Sequence, residues 1–223
     1  MGTVLITGAA RGLGLDLTKQ YAAKGWKVHA CARNPAGMKD IDGDIHHHRL
    51  EVTDYDAVKA LANKLSGEAI DVLICNAGVS RTAAATLGSL DAAAWRETFE
   101  VNALAPLMMA EAFIDHVARS TERKLIAISS RLGSITHCNS GRYAYRASKT
   151  ALNMEWKGLS VDTASKGLIC VVMHPGWVQT DMGGAQATLT IAQSVPAMVK
   201  VIDGLKADDN GRFLNYDGSE IPW

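Results

Sequence analysis

Short apolar segments alternate with longer amphipathic ones along nearly the whole chain. TVLIT (3–7), WKVHACA (26–32), HHRLEV (47–52), IDVLIC (70–75), KLIAISS (124–130) and LICVVMH (168–174) are too short for helices and rich in β-branched residues, which predicts strands. GRFLNYDG (211–218) adds a late seventh. Between them lie helical patterns at 12–25, 53–67 and 89–120, and a further helix from Tyr143 to about residue 166, closed by a lysine and a glycine. Pro106, inside 89–120, predicts a kink rather than a boundary. Strand and helix in alternation imply right-handed crossovers and a parallel sheet covered on both faces. The expected fold is therefore α/β: a single-domain, Rossmann-type, doubly wound sheet over residues 1–223, in which ligands bind beyond the carboxyl ends of the strands.

Composition narrows the partners. The 223 residues hold 23 basic and 23 acidic side chains, interspersed, for a formal net charge of +0. Such a balance leaves no electrostatic footprint for nucleic acid or an anionic membrane, and a small molecule is the expected partner. No apolar run approaches the roughly 20 residues that span a bilayer, and MGTVLITG lacks the basic start of an export signal, so a cytoplasmic protein is expected. Cys31, Cys75, Cys138 and Cys170 have no CxxC spacing and read as reduced thiols. The run His46–His48 suggests a metal clip, but alternation along a strand lets at most two of the three converge, so it reads as a solvated strand edge or loop with no metal.

The chemistry-bearing residues fall just after strands. After the first comes TGAARGLG, with Gly8, Gly12 and Gly14 at the strand-to-helix turn. Glycine lets backbone approach a pyrophosphate, and a helix N-terminus supplies unpaired amides and partial positive charge. Tight packing is the competing explanation for those glycines. After the second strand stands Arg33, with no acid before Asp40 where an NAD site places one for the ribose. Arg33, helped by Arg11 within the glycine turn, suits a 2′-phosphate, so NADP(H) is expected with NAD(H) as the alternative. Tyr145 and Lys149 sit four apart in YAYRASK, on one helix face. An ammonium there should draw the phenol down from about 10 and make it a proton donor and acceptor, although a Tyr and Lys also share plain exposed faces.

TGAARGLG, CNAG (75–78), VNA (101–103), ISS (128–130), YRASK (145–149) and PGWVQT (175–180) stand in one order, and together they resemble the short-chain dehydrogenase/reductase superfamily over about the whole length. Within it, SSRLGSI, PGWVQTDMGG and GRFLNYDGSEIPW are similar to C-factor and sniffer-like carbonyl reductases. The resemblance implies that Tyr145 is the proton donor, Ser130 holds the substrate oxygen, Lys149 binds the nicotinamide ribose, and Asn102 anchors a water that relays protons to Lys149. It places Gly8, Arg11, Gly12, Leu13, Gly14, Arg33, Glu51, Val52, Asn76, Ala77 and Gly78 around the adenine, ribose and pyrophosphate, and Pro175, Gly176, Val178 and Thr180 around the carboxamide and phosphate. Cys75 stands where relatives carry asparagine, Glu51 is longer than the usual acid beside adenine, and a small insertion before Tyr145 leaves Ser134 open as a second choice of serine and carries His137, Cys138 and Arg142 toward the substrate mouth. The implied activity is NADP(H)-dependent interconversion of a carbonyl compound and its alcohol; a nucleotide-binding sensor or signalling protein is the alternative. A short segment after Thr180 implies an open cleft for bulky carbonyl compounds. In many relatives the long helices pair, so a homodimer or homotetramer stands beside a monomer.

Overall fold

The computed structural model describes residues 1–38, 41–81 and 86–223. Asp40 lies outside them. The strands are β1 (Thr3–Thr7), β2 (Lys27–Ala32), β3 (Ile45–Arg49), β4 (Val72–Cys75), β5 (Lys124–Ile128), β6 (Ile169–His174) and β7 (Phe213–Asn215). They form one sheet in the order β3-β2-β1-β4-β5-β6-β7, every neighbouring pair parallel. Helices α1 (Gly12–Ala23), α2 (Tyr55–Lys64), α3 (Ala92–Phe99), α4 (Ala105–Ala118), α5 (Tyr143–Asp162) and α6 (Ile191–Gly204) supply the crossovers. The strand order reverses between β1 and β4, which opens a crevice above their carboxyl ends.

Central strands with unbroken apolar runs are what a sheet buried on both faces requires. Alternation then divides the core. Leu5, Leu73 and Leu125 point to one side, where they pack with Met109, Phe113 and Trp156 beneath α4 and α5. Val4, Ile6, Ile74 and Ile126 point to the other, against Leu17, Tyr21, Val195 and Met198 of α1 and α6. Trp156 is fully buried, and its indole N–H donates to the Leu125 carbonyl at 3.1 Å, tying α5 to β5 below the site. Truncating such a side chain to alanine costs about 3–5 kcal/mol.

Helix α6 was not expected from the sequence, and three expected elements differ in extent. The third strand runs Ile45–Arg49, earlier than HHRLEV, because β2 ends at Ala32 opposite Arg49; after the amide of Leu50 takes the Ala32 carbonyl, no ladder remains. Glu51 and Val52 therefore lie in the crossing loop. The region 89–120 is α3, then a π-helical turn at Glu100–Leu104, then α4. Asp91 caps α3 by accepting from the amides of Ala93 and Ala94, so it starts at 92. Pro106 has no N–H to donate four residues back and its ring crowds that carbonyl, so the turn widens, with the Ala105 amide reaching Glu100. The helix from Tyr143 ends at Asp162 and tightens into a 3₁₀ turn at Ala164–Lys166.

His46 and His48 do share a face of the edge strand, as two of three can. They gather beside His29 of β2, which lies 3.0 Å from His48 and 3.0 Å from the Glu68 carboxylate. Burial first, then neighbouring charge, holds His48 down to about 4. Among the described residues, no group of three or more His, Cys, Asp or Glu is arranged to hold a metal, and no helix is long and apolar enough to cross a membrane.

Candidate active site

A cleft of about 1120 Å³ opens above the carboxyl ends of the central strands. Its wall includes Gly8, Arg11, Gly12, Leu13 and Gly14 from the turn after β1, Arg33 after β2, and Glu51 and Val52 after β3. Asn76, Ala77 and Gly78 follow β4, Tyr145 and Lys149 come from α5, and Pro175 and Thr180 follow β6. Residues from six separate segments are thus brought together by sheet topology. Ser130, Asn102, Gly176 and Val178 are not among the residues that line it. Val178 is buried and bridges to Leu189, holding the loop after β6 in shape.

The phosphate end is built by backbone. Gly8 has φ +67, where an L side chain is strained, and a Cβ on Gly14 would lie 2.2 Å from the Gly8 carbonyl oxygen. The turn folds directly onto the start of α1, which only glycine at position 14 permits. Asn76 fastens it from β4, donating to the carbonyls of Thr7 and Gly8 at 3.0 and 3.2 Å. Thr7 returns the bond: its buried hydroxyl oxygen accepts from the amides of Asn76 and Ala77 at 3.0 and 3.1 Å. The two guanidiniums at this end are engaged by carboxylates, Arg11 with Asp181 at 2.5 Å and Arg33 with Glu51 at 3.7 Å.

At the other end Tyr145 is 8% exposed, with the Ser130 side chain beside it. Burial raises its pKa, and the neighbouring Ser130 hydroxyl followed by the Arg142 charge works against that rise. The expected partner does otherwise. Lys149, 4% exposed, donates to the Ile128 carbonyl at 2.8 Å, and burial holds its ammonium down from 10.5 to about 8. The sequence spacing places Lys149 on the face of Tyr145, but a buried ammonium needs an acceptor, and the end of β5 provides one. The cation felt by the phenol is Arg142, at the N-terminus of α5.

Ser134, the second choice of serine, is turned away: its hydroxyl donates to the Pro222 carbonyl at 2.6 Å and accepts from the His137 amide at 3.2 Å. Asn102 is fully buried in the π turn. Its side chain accepts from the Val79 amide and donates to the Val79 carbonyl, both at 2.8 Å, and donates to Ser148 at 3.1 Å. It holds the loop after β4 in place and makes no side-chain bond to Lys149.

Sequence reasoning missed several supports. Asn153 accepts from the Ser129 hydroxyl at 2.7 Å and donates to the Gly133 carbonyl at 3.2 Å, bracing the turn that carries Ser130. Its signal was present, since Tyr145, Lys149 and Asn153 stand at successive spacings of four. Trp223 closes the same loop: its carbonyl accepts from the amide and hydroxyl of Thr136 at 3.1 and 2.8 Å, and its ring packs on Phe213 at 5.5 Å. Nothing in local spacing announces that contact.

With this geometry in place, the likeness to known proteins is informative. The family model described as short chain dehydrogenase matches residues 2–189. C-signal of Myxococcus xanthus is 44% identical over 167 residues, 74% of this chain and 100% of that protein. Carbonyl reductase Sniffer of D. melanogaster superposes with a TM-score of 0.93 at 33% identity, covering 100% of both chains. An NADPH-bound carbonyl reductase from chicken fatty liver gives 0.91 at 33% identity, covering 99% of this chain and 98% of that one.

Proposed function

The chain belongs to the short-chain dehydrogenase family of oxidoreductases, and on that premise we propose that it is an NADP(H)-dependent reductase of bulky carbonyl compounds, residues 1–223 acting as one nucleotide-binding domain. The observation that carries this reading is that Tyr145 and Lys149 of α5 share one cleft with the glycine turn after β1.

The residues fit the cofactor. A helix N-terminus with a turn of bare backbone accepts a pyrophosphate, and Arg33 with Arg11 offers planar donors to a 2′-phosphate. Lys149 would hold the nicotinamide ribose. When bound, a reduced nicotinamide supplies hydride, and the chain must then manage the charge left on the substrate oxygen. Ser130 donates a hydrogen bond to that oxygen, and Tyr145 delivers its proton there. Burial keeps the phenol protonated until it is needed, while Ser130 and Arg142 favour the phenolate that results. Asn102, buried near Lys149, would anchor a relay water there.

Ile135, Trp177 and Met182, exposed at 71%, 52% and 45%, lie on the loops after β5 and β6 and suit a large apolar carbonyl compound. The likeness to C-signal supports a second reading, a signalling protein for which nucleotide occupancy matters more than turnover. Retention of Ser130, Tyr145 and Lys149 favours the enzyme. The test is titration with NADPH and NADH, then a carbonyl panel with the tighter one. Turnover of aromatic or branched ketones supports the proposal; nucleotide binding with no turnover across the panel favours the second reading.

A further inference from the structure

The cation expected to select the cofactor has an acidic neighbour. Arg33 Nη1 lies 3.7 Å from Glu51 Oε2, with 66% and 43% of the two side chains exposed, and both residues line the cleft. Sheet register explains the meeting: β2 and β3 pair Ala32 with Arg49, so one residue past the first and two past the second reach the same rim. An acid for the ribose is usually placed after β2. Here the acid arrives from β3, in front of an arginine.

We propose that Glu51 is a specificity-determining residue whose carboxylate competes with the adenosine 2′-phosphate for Arg33 and so limits the preference for NADPH over NADH. This rests on the nicotinamide-nucleotide reading above and goes beyond it by assigning the discrimination to a carboxylate as well as to a cation. A guanidinium presents a rigid planar fork, and a carboxylate paired with it must give way before a phosphate can take its donors. A phosphate monoester carries −1.5 to −2 charge near neutral pH, so it meets repulsion from Glu51 besides having to displace it from Arg33. The ribose of NADH offers hydroxyl donors in the same place, for which a carboxylate is neutral or favourable. Two opposed charges at a half-exposed rim, screened by water and salt, amount to about a three- to tenfold effect on affinity at low ionic strength.

The experiment is a fluorescence titration of NADPH and NADH against wild type, Glu51→Gln, Arg33→Gln and the double variant, in low-salt buffer and again with added salt. Glu51→Gln is expected to tighten NADPH about three- to tenfold, to leave NADH within about twofold or weaken it, and to lose most of its gain in the Arg33→Gln background and at high salt. An unchanged dissociation constant for NADPH in Glu51→Gln overturns the proposal. So does equal tightening with Arg33 absent, which would reduce Glu51 to general surface charge, or a changed ratio that comes from weaker NADH alone. Wild-type protein that bound neither nucleotide would instead defeat the cofactor reading on which the proposal stands.

Discussion

Lys149 offers a quantitative test because its position is costly. An amine buried at 4% exposure and held at about 8 rather than 10.5 resists protonation in the fold, and at about 1.36 kcal/mol per pH unit the cost at pH 7 is about 3 kcal/mol. The sign follows from proton counting. Between pH 8 and 10.5 the unfolded chain binds more protons at this site than the folded one, so the contribution to stability rises with pH across that window. Lys149→Met removes the charge at similar volume and forfeits the bond to Ile128, which offsets part of the gain at any single pH. The difference between variant and wild type isolates the charge, because other groups titrate in both. Urea unfolding followed by circular dichroism at steps from pH 7 to 10.5 should show the variant's relative stability falling by about 3 kcal/mol. A flat difference would refute the cost assigned to the buried ammonium.

Other outcomes follow from the same structure. Thr7→Val leaves the half-buried amides of Asn76 and Ala77 without their acceptor, and denaturant unfolding should show a loss of about 1–3 kcal/mol. Glu155, pushed up to about 7 by burial, adds a cost that builds from pH 4.5 to 7 and is full above it; Glu155→Gln should therefore stabilise by about 1 kcal/mol at pH 8, after screening at a half-buried site, and by almost nothing at pH 4. Trp223→Ala keeps the backbone oxygen that Thr136 bonds but removes the ring packed on Phe213 that anchors it, so the loop after Ser130 loosens and KM for a carbonyl substrate should rise severalfold while the dissociation constant for NADPH changes little.

Much of this was legible in the chain because two periodicities carry the fold. Leu5 and Ile6 alternate between the two halves of the core as a strand must, and TGAARGLG announces its turn through glycines whose backbone no other residue could follow. The ends of elements were less legible: β3 stops where β2 stops, a fact of pairing that HHRLEV does not contain. The partner of Lys149 was misread for a related reason. Spacing by four puts two side chains on one face, yet the ammonium goes where burial leaves an unpaired carbonyl, at Ile128. Distant contacts such as Thr136 with Trp223 and Arg11 with Asp181 arise from topology, and no window of sequence displays them.

The central claim is that the Tyr145 phenol, which lines the cleft with Lys149, moves the proton in a carbonyl reduction. Tyr145→Phe removes one oxygen from a residue already packed in place. With saturating NADPH and a ketone that the wild type reduces, turnover should fall by about a hundredfold or more, while the dissociation constant for NADPH stays within about threefold. Reduction at the wild-type rate by Tyr145→Phe, with nucleotide bound, would contradict it.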